Sequence, residues 1–266
     1  MPEISLSRGK IYYEIHGEGR PVIGLHHGMS CVRTWKAQIS AFGGHFSFVV
    51  YDRLGHGRSE HHVPYEEDYF ENRADELREL ITELGFDSVH LCGLCEGGAV
   101  ALVFASSWPE RVKTLILPSV GYYGDDKTIA KCEQYFHPWG ELSESVRNRL
   151  IRDHGEGYAT LKWESVRGAK PYVWSRSYDL RPLFGSIQVP TLVMGGDRDQ
   201  FFGIEHPIVA YEQIKDSELC VLPGVGHFVN EEASGMFNEV TMDFLQRHAG
   251  QSQQRNRNDE STTSRP

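Results

Sequence analysis

Residues 88–98, SVHLCGLCEGG, join an apolar run to a glycine-rich turn and to a second apolar run. The run from Ser88 to Cys92 predicts a buried strand, and the Ala- and Val-rich residues from about Glu96 predict a helix. Glycines between two such elements allow the chain to turn sharply. The stretch therefore predicts a strand-to-helix corner with Cys95 at its tip.

This corner places Cys95 for chemistry. Gly93-Leu94-Cys95-Glu96-Gly97 has the nucleophile-elbow form Gly-x-Ser-x-Gly, with cysteine in the serine position. Side chains at Gly93 and Gly97 would collide with the backbone that such a sharp turn brings close. The corner also exposes the thiol above the positive end of the following helix, which favours a negatively charged sulfur. Cys95 is therefore the candidate nucleophile.

Two other interpretations of Cys95 stay open at this point. The motif could arise by chance around a buried structural thiol, because free cysteine is among the most buried residue types. Cys92 and Cys95 also form a C-x-x-C pair, which is typical of redox sites. The redox interpretation is the less favoured, since such pairs lie in the first helical turn and Cys92 falls inside the predicted strand.

The strand-and-helix alternation extends outward from this corner in both directions. Further strands are predicted at residues 11–15 (an edge strand), 21–25, 46–51, 112–117, 189–194 and 219–222, with helices at 68–84, 207–214 and 232–247. Alternating elements of this kind predict an α/β fold, with a mostly parallel central sheet and helices on both faces.

The alternation stops between residues 121 and 185, which are aromatic and charged with helical character. We interpret this segment as a helical lid inserted into a core formed by residues 1–120 and 186–249. Residues 250–266 are rich in Gln, Asn, Ser, Thr and Arg and have nothing to bury, so this tail is predicted to be disordered.

The composition limits the compartment and the partners. The formal net charge of −10 argues against nucleic-acid binding, and no apolar run is long enough to predict a membrane span. The N-terminus lacks the pattern of a secretory signal, and the five cysteines have no disulfide spacing. We therefore expect reduced thiols and a cytoplasmic protein that binds neither nucleic acid nor membrane.

An acid and a base are predicted at the ends of two later strands. Asp197 and Asp199 follow the strand at 189–194, and His227 lies on the glycine-rich loop after the strand at 219–222. A catalytic histidine needs the nucleophile at one ring nitrogen and a carboxylate at the other. The chain order nucleophile, acid, histidine favours this assignment for His227. The alternative is that the two aspartates only satisfy local backbone N–H groups.

The loop Leu25-His26-His27-Gly28-Met29 follows the predicted strand at 21–25. In this position the nucleophile-elbow arrangement supplies one N–H of an oxyanion hole, and the residue after the nucleophile supplies the other. The backbone amides of Met29 and Glu96 are therefore the predicted donors. His26 and His27 are interpreted as shaping the loop.

Together these motifs resemble the α/β-hydrolase superfamily from about Ile11 to Arg247. The family's Gly-x-x-Asp spacing favours Asp199 over Asp197. Cysteine at the elbow is found in dienelactone hydrolases, polyhydroxyalkanoate synthases and fungal polyketide thiohydrolases. The chain is most similar to the last group, because it is too short for the synthases and its lid and His27-Gly28 loop differ from dienelactone hydrolases.

This resemblance implies an enzyme that needs neither metal nor organic cofactor. It would take an acyl chain from the acyl carrier protein of a polyketide synthase onto Cys95 and release the chain as an acid or a lactone. Arg147, Arg149 and Arg152 could meet such an acidic carrier, although a basic cluster is more often a solvated helix face. The substrate pocket is expected to be lined by His27, Tyr122, Tyr123, Trp139, Trp163, Trp174 and Phe228.

Two other functions stay open. One is a cysteine-dependent esterase or lactonase that acts on a free small molecule. The other is a binding protein that keeps the pocket without turnover, although the three polar residues and the oxyanion loop argue against it.

Overall fold

The computed structural model describes residues 2–61, 65–169 and 175–249, which form an α/β fold around one central sheet. The strands are β1 (Glu3–Leu6), β2 (Gly9–His16), β3 (Pro21–Leu25), β4 (Ser47–Asp52), β5 (Val89–Gly93), β6 (Val112–Pro118), β7 (Thr191–Gly196) and β8 (Ser217–Leu222). Trp174 and the tail at 250–266 lie outside the described residues.

The strand order in the sheet is β1-β2-β4-β3-β5-β6-β7-β8. The pairs β1/β2 and β2/β4 are antiparallel, and every pair from β4/β3 to β7/β8 is parallel. The parallel strands run in one direction, so their carboxyl ends meet at one edge of the sheet. Loops that leave this edge are where open α/β sheets place their functional groups.

Helices cover both faces of the sheet. They are α1 (Lys36–Phe42), α2 (Tyr69–Glu83), α3 (Glu96–Ser107), α4 (Asp126–Tyr135), α5 (Glu144–His154), α6 (Glu156–Gly168), α7 (Glu205–Gln213), α8 (Val229–Glu232) and α9 (Ser234–Ala249), with short 3₁₀ helices at Val32–Trp35, Pro109–Arg111, Trp139–Glu141 and Arg181–Ser186. Helices α2 and α3 contribute to one apolar core, and α1 and α9 contribute to a second. The predicted α/β architecture is confirmed.

The N-terminal edge of the sheet differs from the prediction. Residues 11–15 lie in β2, which is not the edge strand, because β1 pairs with it through the register from Glu3↔Tyr12 to Leu6↔Gly9. Strand β1 has the short sequence EISL, which contains no continuous apolar run. Its four residues are exposed or only half-buried. A strand that buries little surface leaves little trace in the hydrophobic pattern.

Between β6 and β7 the chain inserts α4, α5 and α6. Each of α4 and α5 begins with a side-chain cap, in which Asp125 accepts from the N–H of Thr128 and Ser143 from the N–H of Val146. Residues of α4 and α6 line a cavity that also contains Cys95. Among the described helices, none combines the length and the apolar character that a membrane crossing requires.

Candidate active site

Cys95 occupies a strained corner between β5 and α3. Its backbone has φ 53° and ψ −116°, a positive φ that residues other than glycine rarely adopt. Hydrogen bonds to the neighbouring strands hold the corner, with Leu94 N–H donating to Leu25 O and Cys95 N–H donating to Pro118 O, each at 3.0 Å. The side chain of Cys95 is partly exposed and faces the cavity, whereas Cys92 is fully buried within β5.

The glycines around Cys95 are required by close backbone contacts. A Cβ at Gly97 would press into the carbonyl oxygen of Leu25, and a Cβ at Gly93 would press into the carbonyl oxygen of Gly97. These oxygens belong to the backbone and cannot move away as a flexible side chain could. The predicted reason for glycine at these two positions therefore matches the structure.

Replacing Gly97 with alanine is expected to lower the free energy of unfolding by about 3 kcal/mol, because the added methyl group overpacks the corner against β3. Urea denaturation of the purified variant measures this loss. Gly157→Ala is the matched control, since a Cβ there meets no atom within 4 Å and should change stability by less than about 1 kcal/mol. Equal stability of the two variants would contradict the proposed backbone contact.

His227 and Asp199 form a buried pair on the loops that follow β8 and β7. The Nδ1 atom of His227 lies 2.8 Å from Oδ2 of Asp199, and both side chains are about 3% exposed. The other oxygen of Asp199 accepts the backbone N–H groups of Phe201 at 2.7 Å and of Phe202 at 3.0 Å. These bonds fix the carboxylate and, through it, the orientation of the imidazole.

Cys95 and His227 line the same cavity, and Cys95 is one of the groups that interact with the imidazole of His227. Burial acts to lower the pKa of His227, but the charge and hydrogen bond of Asp199, together with the interaction with Cys95, outweigh burial and raise this pKa well above its ordinary value. Burial likewise acts to raise the pKa of Asp199, and the charge and hydrogen bond of His227 hold it below its ordinary value. The structure therefore hydrogen-bonds imidazole to carboxylate and places the sulfur of Cys95 in the same cavity as the imidazole.

Asp197, the competing acid, has a different position. Its Oδ1 accepts the backbone N–H of Gly224 at 2.6 Å and lies 3.8 Å from the exposed guanidinium of Arg198. It thus ties the loop after β7 to the loop after β8. This is the role of a turn residue that satisfies a local N–H group.

The two predicted oxyanion donors, the backbone N–H groups of Glu96 and Met29, differ in their hydrogen bonds. The N–H of Glu96 belongs to the first turn of α3, whose N–H groups have no partner inside the helix. The N–H of Met29 donates to Nδ1 of His27 over a long 3.3 Å. Met29 can therefore donate to a substrate only if this weak bond is shared or released.

A cavity with an open mouth lies above Cys95, and the empty space in and around it, open solvent included, is about 590 Å³. Its walls are mainly apolar and come from β-strand loops and from the inserted helices. Its lining residues are His27, Gly28, Met29, Phe70, Cys95, Glu96, Gly121, Cys132, Phe136, Val166, Tyr178, Phe201, Phe202, His227 and Phe228. A mainly apolar lining with a few polar groups suits a small, largely apolar molecule.

The predicted pocket aromatics divide into two groups. His27 and Phe228 line the cavity, whereas Tyr122, Tyr123, Trp139 and Trp163 are not among the described lining residues. Trp163 is buried against Phe136 and donates its indole N–H to His137 O at 2.9 Å. Tyr122 is fully buried and packs edge-on against Phe184, and the ring of Tyr123 stacks on that of His206. Trp174 lies outside the described residues.

The side chain of Glu96, to which the sequence motif assigns no role, lies in a buried hydrogen-bond network next to Cys95 in the chain. Its Oε1 accepts from Arg53 at 2.8 Å and from Tyr69 at 2.9 Å, and its Oε2 accepts from Tyr65 at 2.9 Å. Burial acts to raise the pKa of Glu96, but Arg53 and the other partners hold it below its ordinary value. The same carboxylate packs against Gly28, so it connects the elbow to the oxyanion loop.

Lys162 of α6 extends this charged network to the inserted helices. Its ammonium lies 5.3 Å from the centre of the Tyr65 ring, and the residue is buried. Burial lowers the pKa of Lys162 to about 7, although the charge of Glu96 acts in the opposite direction. Within the described residues, no group of three or more His, Cys, Asp or Glu side chains could hold a metal ion.

The arginine cluster of α5 is largely engaged within the protein. Arg149 donates to both carboxylate oxygens of Glu231, at 2.9 and 3.1 Å, and Arg152 donates to Asp153 at 2.9 Å. Arg147 donates to the carbonyl oxygen of Leu142. The carboxylates of Glu231 and Asp153 thus neutralise part of the positive charge of this cluster.

A strained residue at an elbow, a histidine after the last strand and an acid after the preceding strand define the class of α/β hydrolases. A family model described as "Alpha/beta hydrolase family" matches residues 16–240. The chain therefore belongs to this family, which agrees with the resemblance found in the sequence.

Named relatives are similar over almost the whole chain. A 2-hydroxy-6-oxononadienedioate/2-hydroxy-6-oxononatrienedioate hydrolase of Comamonas testosteroni is 27% identical, over 91% of this chain and 93% of its own. The serine hydrolase BPHL of Mus musculus is 25% identical, over 92% and 86%. The solved structure of Est816, an N-acyl homoserine lactone degrading enzyme, has a TM-score of 0.74 at 27% identity, over 91% and 100%.

These relatives support the family and leave the finer resemblance to fungal polyketide thiohydrolases without support. None of the three is named for a polyketide or for a carrier protein. One of them is named a serine hydrolase, so cysteine at the elbow is a departure that the relatives do not explain.

Proposed function

We propose that the protein is a cysteine-dependent acyl hydrolase that acts on a small, activated acyl compound. The observation that carries this proposal is the position of Cys95 and His227 in the wall of one cavity, with His227 hydrogen-bonded to Asp199. His227 takes the proton of Cys95 as the sulfur attacks the substrate carbonyl, and it gives this proton to the departing group. His227 then takes a proton from a water molecule whose oxygen attacks the acyl thioester, and it returns that proton to the sulfur of Cys95 as the acid is released.

A thioester is the substrate that suits a sulfur nucleophile best. Transfer of an acyl group from one sulfur to another exchanges one thioester for another and is nearly thermoneutral. Transfer from an ordinary alkyl ester to sulfur is uphill, because a stable bond is replaced by an activated one. The presence of cysteine at the elbow therefore supports acyl thioesters as the first candidate class.

Esters and lactones of good oxygen leaving groups are the second candidate class. Est816 is named for degrading a lactone, and the Comamonas relative is named for hydrolysing a small oxo acid. An enol ester or enol lactone loses an oxygen that becomes a ketone, which offsets the cost of forming a thioester on Cys95. The small apolar cavity is compatible with either class.

Release of a polyketide-like chain from a carrier protein, as an acid or a lactone, is the most specific form of the proposal. In this form α4 to α6 act as a lid over the cavity, and Arg147, Arg149 and Arg152 would contact the carrier. Cysteine at the elbow supports it, whereas the internal pairing of Arg149 and Arg152 weakens the docking surface. A nucleophilic thiol also requires a reducing compartment, which supports a cytoplasmic location.

The test is intact-mass analysis of the protein mixed with a panel of acyl-N-acetylcysteamine thioesters, their oxygen-ester analogues and one carrier-bound acyl chain. We expect an acyl adduct that is lost in Cys95→Ala, with faster turnover of the thioester than of its oxygen ester. Faster turnover of the oxygen ester would favour the second class. Binding of the panel without any adduct on Cys95 would contradict the proposal.

A further inference from the structure

His27 is a buried imidazole in the cavity wall that the proposed acyl transfer has not used. His27 is 2% exposed, and the centre of its ring lies 4.8 Å from the centre of the Phe228 ring. Among the described residues, its Nε2 atom has no hydrogen-bond partner although it is buried. A buried polar atom without a partner is uncommon and calls for an explanation.

The hydrogen bonds of His27 define where its proton lies. Nδ1 accepts the backbone N–H of Met29, so the lone pair is on Nδ1. Burial, the positive charge of Arg149 and the neighbouring His227 lower the pKa of His27 well below its ordinary value, so the ring is neutral. A neutral imidazole with its lone pair on Nδ1 carries its proton on Nε2. His27 therefore offers one unused N–H donor in the cavity wall.

His27 and the proposed base share an aromatic neighbour in the wall of one cavity. The ring of Phe228 is 4.8 Å from His27 and 5.1 Å from His227, so both imidazoles pack against one aromatic side chain. The base that takes a proton from the nucleophile later returns a proton to the leaving group, which therefore departs on the side of His227. Because His27 lines the same cavity as His227, its free N–H is a candidate donor for that departing group.

We propose that His27 donates a hydrogen bond from Nε2 to the leaving-group oxygen of an ester or lactone substrate. This inference rests on the proposed acyl hydrolase function and makes His27 a residue that determines specificity. An oxygen that gains negative charge as it departs is a strong acceptor, whereas sulfur is a weak one. The donor therefore assists oxygen leaving groups more than sulfur, and it reduces the preference for thioesters that a sulfur nucleophile imposes.

Two substitutions distinguish the role of Nδ1 of His27 from the role of Nε2. In His27→Asn the side-chain oxygen can replace Nδ1 as acceptor for Met29 N–H, but no donor reaches the position of Nε2. In His27→Gln the longer amide can place an N–H near that position, but the contact to Met29 is lost. His45→Asn is the control, because His45 is exposed and lies outside the cavity.

The matched substrates are phenyl butanoate and S-phenyl butanethioate, which share acyl and aryl groups and differ in the leaving atom. In His27→Asn we expect kcat/KM to fall about tenfold to hundredfold more for the oxygen ester than for the thioester. His27→Gln should recover part of this difference, and His45→Asn should show none. Because the donor acts on the departing group, the loss should appear mainly in kcat.

An equal loss on both substrates, or no loss on either, would overturn the role of His27. Tolerance of asparagine together with damage by glutamine would also overturn it, because that pattern reports the contact with Met29. Failure of the proposed function has a different signature. In that case turnover of both substrates by the wild-type protein would survive Cys95→Ala, whatever the His27 variants show.

Discussion

Replacing Cys95 with alanine is expected to lower kcat/KM by about 10⁴-fold or more on every acyl substrate, because in the proposed mechanism this side chain supplies the attacking atom. The fold should persist, since Cys95 is only partly buried and alanine fits the same corner. Steady-state hydrolysis of the preferred thioester measures the loss, and thermal unfolding checks the fold. Retention of more than a tenth of the activity would remove Cys95 from the mechanism.

Cys95→Ser is the matched variant that tests what sulfur contributes as the proposed nucleophile. Transfer from an ester to serine exchanges one oxygen ester for another, so the uphill step on sulfur disappears. We expect the ratio of kcat/KM for the oxygen ester over the thioester to rise at least tenfold relative to the wild type. An unchanged ratio would show that the energy of the acyl-enzyme bond does not select the substrate.

The main features of the fold could be predicted from the sequence because buried parallel strands appear as continuous apolar runs. Strands β3 to β7 are of this kind, and β4 and β5 are buried at every position. Strand β1 was missed for the opposite reason, because its four residues are exposed or only half-buried. Prediction from the hydrophobic pattern detects buried residues, so it does not detect an edge strand that buries little surface.

The polar residues of the site could be found because each follows a strand at the same edge of the sheet. Cys95 follows β5, and the loops after β7 and β8 carry Asp199 and His227. Distinguishing Asp199 from Asp197 needed the family's spacing, since both lie in one short turn. The structure separates them by contact, with the carboxylate of Asp199 on His227 and that of Asp197 on Gly224 N–H.

The cavity wall could not be predicted, because it depends on how the inserted helices pack. Aromatic composition identified Trp163 and Tyr122 as candidates, yet both are buried in packing contacts away from the cavity. The hydrogen-bond network of Glu96 could not be predicted from the sequence either, because its partner Arg53 is 43 positions away. Contacts between distant segments carry no local periodicity.

Replacing Asp199 with asparagine is expected to lower kcat by about 10⁴-fold, because an amide cannot hold the same tautomer of His227 or stabilise its protonated form. Asp197→Asn is the matched control, with the same chemical change two residues away and without contact to His227. It should keep kcat within about threefold of the wild type. Equal losses in the two variants would show that the loop, and not the carboxylate on His227, supports activity.

The same substitution should change how stability depends on pH. The pKa of His227 is raised in the folded state, so its contribution is complete below the unfolded value of 6.5 and is lost as pH rises through the raised pKa. The pKa of Asp199 is lowered, so its contribution is complete above 3.8 and is lost as pH falls through the lowered pKa. The stability difference between wild type and Asp199→Asn, measured by urea denaturation, should therefore be largest between about pH 4 and 6.5 and should shrink in alkaline solution. A difference that grows above pH 7 would mean that the carboxylate does not stabilise a protonated His227.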